Sequence, residues 1–104
     1  GGPTVGPMTL PEGIEPAKYL QRMTEMVDIS LRQGWITSDE FGREVHQSLR
    51  EAREAFQSGN RQAAQTSLLA LLARVEQEKG RLLLSEAYAL LKFNLQFALE
   101  RFCE

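Results

Sequence analysis

The sequence predicts an all-α domain, a compact up-down bundle of four helices, and three observations carry that prediction. Apolar residues recur at three- and four-residue spacing along almost the whole chain after Pro16. No proline follows Pro16, so nothing in that stretch breaks a helix from within. No segment alternates apolar and polar residues for long enough to make a strand. The chain has 104 residues, 42% of them hydrophobic, with a formal net charge of −2, which suits one globular domain with a core and leaves no room for a second of ordinary size.

The first fifteen residues stand apart. All four prolines and four of the eight glycines lie within residues 1–16, so 1–15 reads as an extended linker, or in part an expression-derived extension, ahead of a single bundle domain over 16–104. It lacks the basic start and apolar stretch of a signal peptide. Together with an end immediately after Phe102-Cys103-Glu104, it points to a piece of a longer multidomain protein.

Helix one is expected over 16–33, with Pro16 suited to a first turn whose N–H groups lack partners in any case. Leu20, Met23, Val27 and Leu31 form its apolar face, flanked by Tyr19 and Met26. Helix two is expected over 38–58, with Thr37 as N-cap and Glu40 completing a capping box. Phe41, Val45, Leu49, Ala52 and Phe56 give it a narrow apolar stripe. Helix three, over 61–79, opens on Asn60 and carries Ala64, Leu68, Leu71, Leu72 and Val75 inward. Gly34, Gly59 and Gly80 each follow a periodic run and read as the left-handed residues that end helices one, two and three. Leu82-Leu83-Leu84 is too short for a confident strand and reads as the approach to helix four, over 84–102. Connections of about two to five residues make successive helices antiparallel neighbours. Helices two and three together do not recur in helix four, so the chain is not a solenoid.

Helix four is apolar nearly all round, from Leu82 to Phe102, yet Glu86, Lys92, Asn94, Gln96 and Glu100 interrupt it, so it does not insert in a membrane. Either it sits centrally and touches all three other helices, or part of it, with Leu95, Leu99 and Phe102, docks on a neighbouring domain or a second copy as a weak homodimer.

The residues carry no chemistry-bearing set. His46 is the sole histidine, lies outside the apolar stripe of helix two and has no ligand-spaced partner, so it reads as a solvated surface residue and no metal is expected. Cys103 ends the last helix, where the negative dipole end disfavours a thiolate, and it excludes any internal disulfide by being alone. No phosphate-binding glycine loop or nucleophile elbow occurs, so neither a cofactor nor a catalytic residue is assigned. The balanced charge argues against nucleic acid as the partner. Arg43, His46, Arg50 and Arg53 line one side of helix two, and Glu40, Glu44, Glu51 and Glu54 the other. The basic strip is either a contact surface for an acidic partner or a solvated face with pairs such as Arg50 and Glu54. Trp35, after Gly34, either plugs the bundle end or faces a ligand.

Residues 29–102 resemble the FIMAH domain, a small helical module of bacterial secreted and surface multidomain proteins. Leu31-Arg32-Gln33-Gly34-Trp35-Ile36-Thr37 is similar to the family's glycine turn with Ile-Thr before helix two. Gly59-Asn60-Arg61-Gln62-Ala63-Ala64, then Leu68, Leu72, Val75, Gln77 and Gly80, continue the resemblance into the closing leucine-rich helix. The family has Ala or Val where this chain has Phe41-Gly42, and helix one is longer here. The resemblance implies an extracytoplasmic, non-catalytic accessory module, a spacer or a docking surface for neighbouring domains or another protein. The alternative is an intracellular adapter bundle that binds a partner helix or peptide, and a third reading is a fragment of an enzyme whose catalytic residues lie elsewhere.

Overall fold

The computed structural model describes residues 13–103, and the Pro/Gly-rich stretch over 1–12 lies outside them. Four helices follow in order, α1 (Pro16–Arg32), α2 (Asp39–Gln57), α3 (Arg61–Glu78) and α4 (Ser85–Phe102). Each expected helix is present to within a residue or two at its ends. They close into a ring in which α1 packs on α2, α2 on α3, α3 on α4 and α4 on α1. Leu20, Met23, Val27, Val45, Leu49, Leu68, Leu91 and Leu95 fill the centre with no exposed surface.

Gly34 and Gly59 end their helices as the sequence predicts. Gly34, at φ +77°, follows α1, with its N–H on the Leu31 carbonyl and the Trp35 N–H on that of Ser30. Gly59, at φ +79°, places its own N–H on Phe56 and that of Asn60 on Ala55 in the same way. These paired bonds satisfy carbonyls that the helix end leaves open. Asn60 then turns round and caps α3, its side chain accepting from the Ala63 N–H at 3.0 Å.

Two expected end signals are corrected. The cap of α2 is Ser38, whose Oγ accepts from the Phe41 N–H at 3.0 Å, so Thr37 and Glu40 do not form a capping box. Thr37 is drawn away because its N–H and hydroxyl both donate to the Leu82 carbonyl. Gly80 is not the residue that stops α3. Lys79 is extended at φ −56°, ψ 123°, Gly80 has φ +75°, and the Arg81 N–H bonds to the Glu78 carbonyl. That is a type II turn, which requires the positive φ at its third residue.

The turn leads Leu83 to a single antiparallel bridge with Ile36. The Thr37 N–H donates to Leu82 and the Leu84 N–H to Trp35, at 3.0 and 2.9 Å. Ile36 and Leu83 are both buried, so the loops over 33–38 and 79–84 are locked across one end of the bundle. The leucine run is thus the strand-like half of a loop clasp. Trp35 is half-buried against the core beside it, in the plugging position.

Helix α4 is not central. Its backbone packs on α1 and α3 and not on α2, which it meets through side chains such as Phe102 on Phe56, with ring centroids 6.2 Å apart. Two of its four aromatics, Phe97 and Phe102, pack on Tyr19 of α1 at 5.3 and 5.6 Å. This cluster lies at the end where α1 begins and α4 finishes, opposite the loop clasp. Asn94, which looks like a polar interruption in the sequence, is buried, and its Oδ1 accepts from the Tyr19 hydroxyl at 2.6 Å.

Candidate functional site

Helix α2 has three strips, and the bundle uses each differently. Phe41, Val45, Leu49 and Ala52 go to the core, and buried Gly42 lets Leu31 of α1 approach closely, since a Cβ there would sit 2.8 Å from its methyl carbons. Of the acidic strip, Glu44 is turned towards α3, while Glu51 accepts from Gln47 on its own helix and Glu54 lines the α1–α2 seam. Both Glu44 oxygens accept from Arg74, at 2.6 and 3.1 Å, and the Arg74 guanidinium also lies over the Phe41 ring at 5.3 Å.

Arg74 reaches on to Glu78, a carboxylate the sequence reading missed because a glutamate before a glycine stop looks like ordinary helix surface. Glu78 is only 4% exposed, and Arg81 and Arg74 both donate to it, the closest contacts being 2.6 and 2.8 Å. Arg81 first and Arg74 second hold the Glu78 carboxyl below its ordinary value near 4.5, and the Arg74 hydrogen bond does the same for Glu44. A carboxyl depressed in the folded state contributes stability above its unfolded pKa and loses it as pH falls through the folded one. Wild type is therefore expected to be more stable than Glu78→Gln near neutrality and to converge with it as the pH drops below about 4.5. Thermal melts of both proteins across that range check this, and a gap that stays constant would contradict it.

The basic strip is turned towards α1 and borders an open groove of about 390 Å³, lined by Thr24, Arg43, His46, Gln47, Arg50 and Arg53. The structure thus brings the three arginines predicted as contact residues to one depression. Arg53 donates to Gln21 across the seam and Arg50 to Gln47 within α2, so the expected Arg50–Glu54 pair is replaced by an amide contact. Arg43 is exposed, and its side chain has no hydrogen bond or ion pair among the described residues. His46 keeps 37% of its side chain exposed, in line with its place off the apolar stripe, but one of its ring nitrogens is shielded. Its Nε2 has lost contact with solvent and lies 2.9 Å from Oδ1 of Asp28 on α1, off the line of a good hydrogen bond. A second depression, of about 500 Å³, continues the α1–α2 seam from Arg53 towards Lys18 and Glu15.

Comparison with protein-family models, curated proteins and solved structures finds no match. The resemblance described above therefore rests on the residues quoted for it.

The apolar half of the predicted contact set is not brought to a surface. Leu95 is wholly buried, because its place on α4 faces the ring centre. Leu99 and Phe102 are half-buried and packed against the core, Phe102 between Tyr19 of α1 and Phe56 of α2, and neither lines the arginine groove. The large apolar side chains that do stand out among the described residues are Leu69, Leu84 and Phe93, each about half exposed and on separate segments. Burial pushes the Cys103 thiol up, a different cause from the helix dipole but the same consequence for its reactivity. No helix among the described residues is long and apolar enough to cross a membrane.

Proposed function

We propose that this domain is a non-catalytic helical interaction module of a larger protein, and that the α1–α2 groove is its docking surface. The observation that carries this reading is the imbalance of charge. Arg74 meets Glu44 and Glu78, Arg81 meets Glu78 and Lys92 meets Glu76, whereas three arginines stand together in the groove with amide partners or none. Of the five acidic residues of α2, Glu44 is engaged by Arg74 and Glu54 lines the adjoining depression beside Arg53, yet among the described residues none makes an ion pair with the three groove arginines.

Docking fits the geometry better than spacing. The start of α1 and the end of α4 lie at one end of the bundle, joined by the Tyr19–Phe102 ring contact. Such a domain branches from its neighbours and does not separate them end to end, which leaves the α1–α2 face free to meet a neighbouring domain or another protein. The FIMAH resemblance supports the same kind of role and adds the expectation of an extracytoplasmic bacterial setting.

The test is a photo-crosslinking residue placed at Gln47, in the groove, and at Ala73, on the exposed side of α3, in the intact protein in its own cells. A discrete product at 47, absent at 73 and lost in Arg43→Glu/Arg50→Glu, is expected. No product at 47, or one that ignores the charge reversal, overturns the reading.

A further inference from the structure

We infer that the ligand of the α1–α2 groove is an acidic peptide segment, held in extended form with its carboxylates on Arg43 and Arg50 and its backbone on the groove amides; this rests on the docking role proposed above. Arg43 and Arg50 stand seven residues apart on α2, about 10.5 Å along the axis and on one side of it. Three residues of a chain extended as a polyproline II helix make one turn, which rises about 9.3 Å and returns the side chain to the same face. A peptide with carboxylates three residues apart therefore reaches both guanidinium groups at once.

The lining distinguishes such a peptide from other anions. A polyanion such as a nucleic acid or a sulfated polysaccharide is held by dense Lys and Arg with a positive field around them. The groove has no lysine in its lining, and the protein carries a net charge of −2. Its arginines are instead interleaved with neutral hydrogen-bonding groups. Gln47 of the lining, whose amide N–H also donates to Glu51 at 2.9 Å, and Gln21 of the adjoining depression each carry a donor and an acceptor end, which matches a peptide backbone and not a phosphate chain. Both amides already engage an arginine, Gln47 with Arg50 and Gln21 with Arg53. A carboxylate arriving at Arg50 replaces a neutral acceptor with a charged one, a stronger bond, and releases the Gln47 oxygen for a backbone N–H. Arg43 needs no such exchange, since its side chain is unengaged among the described residues. Asp28 is set against His46, and although Glu51 accepts from Gln47 and Glu54 lies beside Arg53 in the adjoining depression, none of the three makes an ion pair with the groove arginines among the described residues.

The experiment titrates the purified domain, at low ionic strength, with a peptide of about twelve residues bearing glutamate at every third position. A peptide of the same composition with the glutamates in one block serves as control, and heparin as the polyanion. The spaced peptide is expected to move the amide resonances of residues 43–53 and 21–28 and to bind several-fold tighter than the block peptide. Arg43→Glu/Arg50→Glu is expected to weaken it about tenfold, the order that losing two exposed ion pairs gives. Both residues are exposed, so an unchanged melting curve confirms that the variant is folded. No binding, equal binding of the two peptides, or binding of heparin alone at these residues overturns the assignment. A crosslink at Gln47 that persists while the spaced peptide fails to bind leaves docking standing and rejects the acidic ligand. Peptide binding without any crosslink keeps the site and rejects its use in the cell.

Discussion

Leu95→Ala is expected to destabilise the domain by about 2–5 kcal/mol, the range for a leucine truncated in a close-packed core. Leu95 has no exposed surface and lies among the inward side chains of α4, with Leu91 and Ala98 on the same face. Its removal leaves a cavity that four helices joined by short loops can close only in part. Marginally stable domains have about 5–15 kcal/mol in all, so the variant should show a clearly lower urea midpoint with an unchanged slope. The measurement also decides between the two roles the sequence allows for this residue. If Leu95 served a docked partner, its truncation would cost the isolated domain almost nothing. A loss under about 1 kcal/mol would reject the buried position, because that is the range of surface substitutions.

Asn94→Ala is expected to cost about 1–3 kcal/mol, because it deprives a buried hydroxyl of its acceptor. The Tyr19 hydroxyl donates to Asn94 Oδ1 at 2.6 Å, and Asn94 Nδ2 donates to the Leu90 carbonyl at 2.8 Å, so one amide ties α1 to α4 and anchors itself to its own helix. Tyr19→Phe should cost less, since the ring keeps its packing on Phe97 and Phe102. The two changes should not add. Once the hydroxyl is gone, losing Asn94 no longer removes its acceptor, and the double variant should recover at least about 0.5 kcal/mol relative to the sum. A double-mutant cycle from urea denaturation measures this, and strict additivity would mean that the contact contributes nothing to α1–α4 pairing.

Much of this was legible beforehand for local reasons. Helix ends depend on a few neighbouring residues, so Gly34, Gly59 and Asn60 act in the structure as their chemistry requires. Where a distant segment competed, local reading failed. Thr37 has the residue type and spacing for an N-cap, and it is engaged by Leu82, forty-five residues away. Gly80 has the positive φ expected of a helix stop but serves a turn that aims Leu83 at Ile36. The polar residues of α4 look alike in sequence, and only Tyr19 on another helix makes Asn94 an interior one.

The candidate site divides the same way. A strip such as Arg43, Arg50 and Arg53 follows from helical periodicity, so its existence was readable from residue spacing alone. Periodicity says nothing about which neighbour a strip faces. The ring of helices turned Glu44 of the acidic strip onto Arg74, and the basic strip onto a seam whose α1 side offers Thr24, Gln21 and Asp28. The sequence by itself determined the helices, two of their three glycine stops and the segregation of charge on α2, because each depends on contacts within a few residues. Which of those charges stay unpaired, and that Leu95 belongs to the core, only the tertiary structure decided, because burial and ion pairing depend on what the other helices bring alongside.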